Sequence, residues 1–149
     1  VPGMRSGFVA GDPAILKQFL LYRTYHGCAM PPPVQTASVV AWSDEAHVIE
    51  NRTLYREKFS ALTPRFASVL TTGMPDASFY LWAKTPISDT DFARRLYAAY
   101  NVIVLPGSFL ARTAHGVNPG ADFVRIALVA SLAECTEAAN RVIEFINQL

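Results

Sequence analysis

The second half of the chain alternates between strand-like and helical segments, and this order restricts the fold more than any other feature. Segments 78–83, 102–105 and 123–130 are rich in aromatic or branched apolar residues and predict strands. A Ser-Asp-Thr-Asp sequence between the first two predicts a capped helix that ends near Tyr100. With a final helix after residue 131, this order predicts a small sheet with its helices on one face.

Two amphipathic stripes predict long helices that pack against this sheet. The first stripe runs from Tyr55 to Val69 at intervals of four and three residues, and Pro64 within it predicts that the helix is kinked or split in two. The second follows a capping box at Ser131 and repeats at intervals of three and four to the last residue. The Gly- and Pro-bearing segment 71–75 predicts a boundary between two lobes.

Before the first stripe, the chain predicts a short strand and two helices. Residues 7–11 (GFVAG) are typical of a strand, and Asp12 followed by Pro13 is typical of a helix start. That helix ends near Gly27, three prolines at 31–33 interrupt the pattern, and an apolar helix follows over residues 34–42.

Composition excludes several classes of function. The net charge is +1, with 13 basic and 12 acidic residues, which disfavours binding to nucleic acid. No apolar run approaches the roughly 20 residues that a bilayer helix needs. Two cysteines and three scattered histidines predict neither a disulfide framework nor a metal site. Because the chain is 51% hydrophobic and begins with Val1 rather than Met, we expect it to be processed or to be the back half of something longer.

Two arginines stand out chemically. Arg125 lies in the middle of FVRIALVA, a strand apolar enough to be covered on both faces, where a guanidinium needs an anion or a water-filled cleft. It either forms a structural ion pair or reaches the surface, or it holds a ligand carboxylate with both ends of its fork. Arg5 lies between two glycines in GMRSG, a pattern that fits either a solvated turn or a close approach to a ligand.

Taken together, these segments resemble the C-terminal half of the class I/II, fold-type I aminotransferases, which depend on pyridoxal 5'-phosphate (PLP). VPGMRSGFVAGD resembles the stretch after the family's Schiff-base lysine, and SFYLWA resembles its first small-domain strand. NVIVLPGSFLA and FVRIALVA resemble the paired strands that end in the substrate arginine. RSGFVAGD, LYRTYHGCAM, VLPGSFLAR and RIALVASLAEC are most similar to the bacterial succinyldiaminopimelate branch of the family.

The resemblance implies an α/β fold of the PLP-dependent transferase type. Residues 1–49 would be the tail of the large PLP-binding domain, with an edge strand and an apolar helix exposed unless a partner chain covers them. Residues 50–70 would be a kinked interdomain helix, and residues 71–149 an α+β C-terminal small domain. The activity implied is amino transfer between glutamate and N-succinyl-2-amino-6-oxopimelate in lysine and diaminopimelate biosynthesis.

The resemblance also implies roles for individual residues. Arg5 matches the arginine that binds the PLP phosphate, and Arg125 matches the arginine that binds the substrate α-carboxylate. Arg112, in GSFLAR, is a candidate second clamp for the succinylated substrate. Arg23 and Tyr25 align too loosely for a role.

No catalytic residue is assigned in this chain. The family's Schiff-base lysine would lie upstream of Val1, and Lys17, Lys58 and Lys84 do not match its position. We therefore expect the 149-residue chain alone to be inactive.

Three other functions stay open at this point, beside a plain α+β domain with incidental arginines. The chain could belong to another amino-acid aminotransferase, to a PLP-dependent C–S lyase, or to a non-catalytic effector or dimerisation module. The partners implied by the resemblance are amino-acid and keto-acid substrates, a missing N-terminal half and a second copy in a homodimer. The implied location is the cytoplasm, without nucleic acid or membrane.

Overall fold

The computed structural model of the chain describes residues 2–149 and divides them into two compact units that meet between Glu50 and Asn51. Within that range, no helix is both long and apolar enough to cross a bilayer. The elements in chain order are α1 (Pro13–His26), α2 (Pro32–Ser43), α3 (Ala46–Ala67), β1 (Tyr80–Lys84), α4 (Asp89–Tyr100), β2 (Leu105–Pro106), β3 (Phe123–Ala127) and α5 (Leu132–Asn147), with short 3₁₀ turns at Pro2–Met4 and Gly107–Phe109.

Local signals at helix ends set the boundaries of α1 and α2. The Asp12 carboxylate accepts hydrogen bonds from the backbone N–H groups of Ala14 (2.8 Å) and Ile15 (3.2 Å), so the predicted start of α1 is confirmed. Helix α2 begins at Pro32, two residues earlier than predicted, because a proline at the first helical position gives up an N–H that needs no partner there.

The strand predicted over residues 7–11 is wrong. This segment forms no regular secondary structure and has no ladder partner among the described residues of the first unit. A β-strand requires a neighbouring strand to which its backbone hydrogen-bonds, and the apolar pattern of one segment does not specify that neighbour.

None of residues 3–50 is buried. Large apolar side chains lie open to solvent on both helices, among them Leu20 (70% exposed), Val40 (67%) and Trp42 (65%). The first unit therefore has helices without a core of its own, as expected for apolar helices that lack a covering partner.

The second unit has a core on one face of a three-stranded antiparallel sheet with the order β1-β3-β2. Buried residues of α3 and α5, which carry the two predicted stripes, and of α4 pack against the buried face of the sheet. They are Phe59, Leu62 and Phe66 of α3, Phe92 and Leu96 of α4, Cys135, Ala139, Val142 and Phe145 of α5, and Leu81, Ala83, Val124 and Ile126 of the sheet. The predicted order of strands and helices is confirmed.

The length and covering of the strands differ from the prediction. Strand β3 ends at Ala127 rather than 130, and β2 has only two residues, one of them Pro106, which lacks the N–H that a ladder needs. Along β3, Val124 and Ile126 are buried whereas Arg125 is only partly buried. Within the second unit the strand is thus covered on one face, not on both.

Helix α3 starts at Ala46, contains Pro64 and continues to Ala67. The predicted helix over residues 50–70 is therefore present with shifted ends. The division of the chain into a large-domain tail, an interdomain helix and a small domain stays a prediction.

Two glycines allow the loop between β2 and β3 to pack against itself. A Cβ atom at Gly107 would overlap the carbonyl oxygen of Gly120, and would lie 2.7 Å from the Trp82 ring and 2.8 Å from the Phe123 carbonyl oxygen. A Cβ atom at Gly120 would in turn overlap the Gly107 carbonyl. The two backbones are in direct contact, so neither position has space for a side chain.

Substituting Gly107→Ala is expected to destabilise the second unit by about 1–3 kcal/mol, because backbone atoms cannot move aside as a flexible side chain can. Urea unfolding of the chain measures the loss. Gly73→Ala is the matched control, since a Cβ atom there meets nothing within 4 Å. Equal stability of the two variants would contradict the close contact.

Candidate functional site

Arg125 lies at the centre of the sheet, on the face opposite the core. Its register partners are Trp82 on β1 and Leu105 on β2. Because side chains alternate along a strand, Tyr80, Trp82 and Phe123 share the open face with it. The sheet therefore presents one guanidinium among aromatic side chains.

The guanidinium of Arg125 has no anionic partner among the described residues. Its Cζ lies 5.6 Å from the centre of the Tyr80 ring, and its Nε is buried without a hydrogen-bond partner. The ion pairs within residues 2–149 are His47–Asp44, Arg94–Asp91 and Arg141–Glu137. Of the alternatives left open by the sequence, an internal ion pair is thus absent from the described part of the chain.

Trp82 forms one wall of a small cleft beside Arg125. Its ring stacks on Phe123 with centroids 5.7 Å apart and an angle of 10° between the planes. The cleft has a volume of about 340 Å³. Its lining comprises Tyr80, Trp82, Leu110, Ala111, Pro119 and Gly120.

Arg112 lies directly after one of these cleft residues. The 3₁₀ turn Gly107–Phe109 precedes it, and the N–H of Ala111 donates to the Gly107 carbonyl at 3.0 Å. The Arg112 side chain is exposed and has no hydrogen bond or ion pair within the described chain. Neither arginine lines the cleft itself, but each has a neighbour that does, since Trp82 is the cross-strand neighbour of Arg125 and Ala111 is the chain neighbour of Arg112.

Asp89 anchors the loop that carries Arg112. It is 4% exposed, and its carboxylate accepts the Ser108 N–H at 2.8 Å. Asn118 connects the two ends of the loop, donating to the Ser108 carbonyl and accepting the Gly120 N–H. Burial opposes ionisation of Asp89, but hydrogen bonds from Ser108 and other groups outweigh it and lower the pKa of the carboxyl below 3.8.

The charge of Asp89 is expected to stabilise the second unit by about 1 kcal/mol relative to Asp89→Asn. Because the pKa is lower in the folded state, this contribution is complete above the ordinary value of 3.8 and is lost as the pH falls through the folded pKa. Free energies of unfolding from pH 6 to pH 3 measure the difference. Asp76→Asn, on an exposed loop, is the control, and a difference between wild type and Asp89→Asn that does not shrink at all as the pH falls below 3.8 would contradict the assignment.

Arg5 lines an open cleft of about 1170 Å³ in the first unit. Its backbone has a φ of 58°, in the left-handed region, and its exposed side chain has no hydrogen bond or ion pair among residues 2–149. Neither Gly3 nor Gly7 has an atom near its would-be Cβ, so space remains on both sides of the arginine. The site offers a free cation in an open cleft.

These residues fit one end of PLP. A free guanidinium suits a phosphate dianion, which accepts paired hydrogen bonds from it. The lining of this cleft, within the described residues, includes no lysine that could hold the aldehyde end. Lys58 is engaged elsewhere, because its Nζ donates to the Leu128 carbonyl at 3.0 Å.

Arg23 and Tyr25, which have no role predicted from the sequence, differ in their surroundings. The guanidinium of Arg23 folds back on the end of α1, with Nη1 and Nη2 each 3.4 Å from the carbonyls of His26 and Cys28. Tyr25 is 79% exposed.

Sequence reasoning missed Tyr80 and Asp89. Tyr80 lies two residues before Trp82, so the two side chains lie on one face of the strand. This spacing alone predicts that Tyr80 shares the face of Trp82. The Ser-Asp-Thr-Asp pattern predicts only a helix cap for Asp89. Nothing local indicates that its carboxylate reaches Ser108.

Comparison with known proteins identifies the family. Residues 1–142 match the model for "Aminotransferase class I and II", so the chain belongs to this family. The fold is that of the fold-type I, PLP-dependent transferases, and PLP is the cofactor of the family, as the sequence resemblance implied.

Two curated relatives match nearly the whole chain. A probable aminotransferase of Mycobacterium tuberculosis is 36% identical over 141 residues, covering 94% of this chain and 32% of its own length. An LL-diaminopimelate aminotransferase of Nitratidesulfovibrio vulgaris is 29% identical over 144 residues, covering 94% and 36%. The chain therefore spans about a third of the length of the curated relatives it matches.

Two solved structures share the fold. An aminotransferase from Neisseria meningitidis is 55% identical with a TM-score of 0.84, over 98% of this chain and 37% of its own. A probable N-succinyldiaminopimelate aminotransferase from Thermus thermophilus is 29% identical with a TM-score of 0.71, over 90% and 35%.

Proposed function

We propose that this chain is part of a PLP-dependent aminotransferase that transfers an amino group between glutamate and N-succinyl-2-amino-6-oxopimelate. The observation that carries the proposal is the unpaired guanidinium of Arg125 on the open face of the sheet, in a chain of this family. A half-buried arginine without an anion is ready to bind a carboxylate, the group shared by every amino acid and keto acid.

In this proposal, Arg125 binds the α-carboxylate and Arg5 binds the phosphate of PLP. When bound, PLP supplies an electron-poor ring that stabilises negative charge at the substrate α-carbon. Arg125 fixes the carboxylate with two parallel hydrogen bonds and so orients the α-carbon, which is catalysis by positioning. Proton transfer at that carbon is assigned to no residue of this chain.

The remaining parts of the proposal follow the sequence resemblance. Residues 1–49 are taken as the tail of the large domain, residues 50–70 as the interdomain helix and residues 71–149 as the small domain. The complete enzyme is taken to be a cytoplasmic homodimer in lysine biosynthesis, and the 149-residue chain to be inactive alone. Open clefts at Arg5 and beside Trp82 are consistent with small-molecule ligands.

Two observations favour a diaminopimelate substrate over other amino acids. One relative is named an LL-diaminopimelate aminotransferase, and one structural neighbour a probable N-succinyldiaminopimelate aminotransferase. The free Arg112 beside the cleft favours the succinylated form, because the succinyl group carries a carboxylate that glutamate lacks. Another amino-acid aminotransferase, a C–S lyase and a non-catalytic module remain the alternatives.

Arg125→Ala tests the reaction class. In the complete protein loaded with PLP, it is expected to lower kcat/KM for amino transfer from glutamate at least about 30-fold, since a charged hydrogen-bonded pair is lost. Arg94→Ala is the matched control, because Arg94 is exposed and pairs only with Asp91 on the surface of α4. Equal rates for the two variants would refute the role of Arg125, and no transfer from any amino donor by the wild type would refute the activity.

Arg112→Ala tests the substrate. It is expected to raise KM for the succinylated substrate about 10- to 100-fold by removing a charged hydrogen bond, while KM for glutamate stays within about twofold. Steady-state kinetics with each substrate varied in turn measures both values. Thr113→Ala, at the adjacent exposed position, is the control, and equal loss on both substrates would contradict the assignment.

A further inference from the structure

Two diagonal side-chain pairs occupy the open face of the sheet. Arg125 is directly opposite Trp82 in the register, yet its guanidinium lies over the ring of Tyr80. Tyr80 is two residues from Trp82 along β1 and lies on the same face. The Trp82 ring instead stacks on Phe123. Diagonal neighbours of this kind are within reach of aromatic and long side chains.

The neighbours of these pairs explain why Arg125 turns towards Tyr80. Trp82 is confined between the Phe123 ring and the backbone at Gly107, where a Cβ atom would lie only 2.7 Å from the indole. Ala127, the register partner of Tyr80, is small and exposed, so space is left over that end of the strand. This space lies beside the Tyr80 ring on which the guanidinium packs.

The contact sets the direction of the guanidinium. Its Nε is buried without a hydrogen-bond partner, and the described residues offer its Nη groups neither a hydrogen bond nor an ion pair. A cation within about 6 Å of a ring centre is attracted to the ring face, and 5.6 Å satisfies this. This attraction favours one position of the guanidinium, over the Tyr80 ring, before any ligand arrives.

We propose that Tyr80 is a positioning residue for Arg125, holding the guanidinium so that its two Nη groups meet the substrate carboxylate together. This inference rests on the proposed function, in which Arg125 binds that carboxylate. Tyr80 acts through its ring and does not touch the reacting atoms. Orienting the arginine in advance lowers the entropy lost when the carboxylate binds.

The test compares Tyr80→Leu with Tyr80→Phe in the complete protein. Without the ring, the affinity for a carboxylate is expected to fall about 3- to 30-fold, whereas Phe keeps the ring and stays within about twofold of wild type. Calorimetric titration of the PLP-free protein with 2-oxoglutarate measures this directly. In the PLP-loaded protein, KM for glutamate should rise by the same factor while kcat and the thermal unfolding midpoint change little.

Ala127→Leu provides a second route that leaves Tyr80 intact. A larger side chain opposite Tyr80 is expected to displace the guanidinium and weaken 2-oxoglutarate binding by a similar factor. Ala127→Ser, which adds little volume, is its control. Because residue 127 is exposed, this variant keeps the inference testable even if Tyr80→Leu does not fold.

The outcomes separate this inference from the proposed function. If Arg125→Ala weakens binding of 2-oxoglutarate but Tyr80→Leu and Ala127→Leu do not, the positioning role of Tyr80 is overturned while the carboxylate site stands. If Tyr80→Phe loses as much as Tyr80→Leu, the ring is not the cause, and the inference fails. If Arg125→Ala has no effect, the carboxylate site itself fails and the inference with it.

Discussion

The backbone contact between Gly107 and Gly120 is the constraint on which the open face of the second unit depends. It closes the loop between β2 and β3, provides the surface on which the Trp82 ring lies, and leaves Arg125 to pack on Tyr80. Asp89 supports the same loop from the start of α4 through the Ser108 N–H. One close approach of two backbones thereby sets the surroundings of both candidate carboxylate-binding arginines.

The fold could be predicted from the sequence wherever the signal is local or periodic. Helix α1 is capped by Asp12 as predicted, and the stripe through Phe59, Leu62 and Phe66 is buried as its spacing required. The predicted strand over residues 7–11 failed because a ladder requires a second segment, and no local pattern specifies one. Strand β2 is shorter than predicted because it pairs only through Leu105 and Pro106, and Pro106 lacks the N–H that a ladder needs.

The candidate site was predictable in part. Arg125 stands out in the sequence because a charge interrupts an apolar strand, and Arg5 because glycines flank it. The contact of Arg125 with Tyr80 joins residues 45 positions apart in the chain, so it depends on the antiparallel register of β1 and β3. Spacing within a single segment cannot reveal such a contact.

The exposed helices of the first unit have a thermodynamic consequence. Apolar surface that stays in water contributes no hydrophobic free energy, so α1 and α2 gain it only when another surface covers them. Folding of this unit and association with that surface are then linked equilibria, and the apparent stability rises with the concentration of the covering partner. The affinity for the covering partner and the apparent stability of the first unit then both depend on the same buried apolar area.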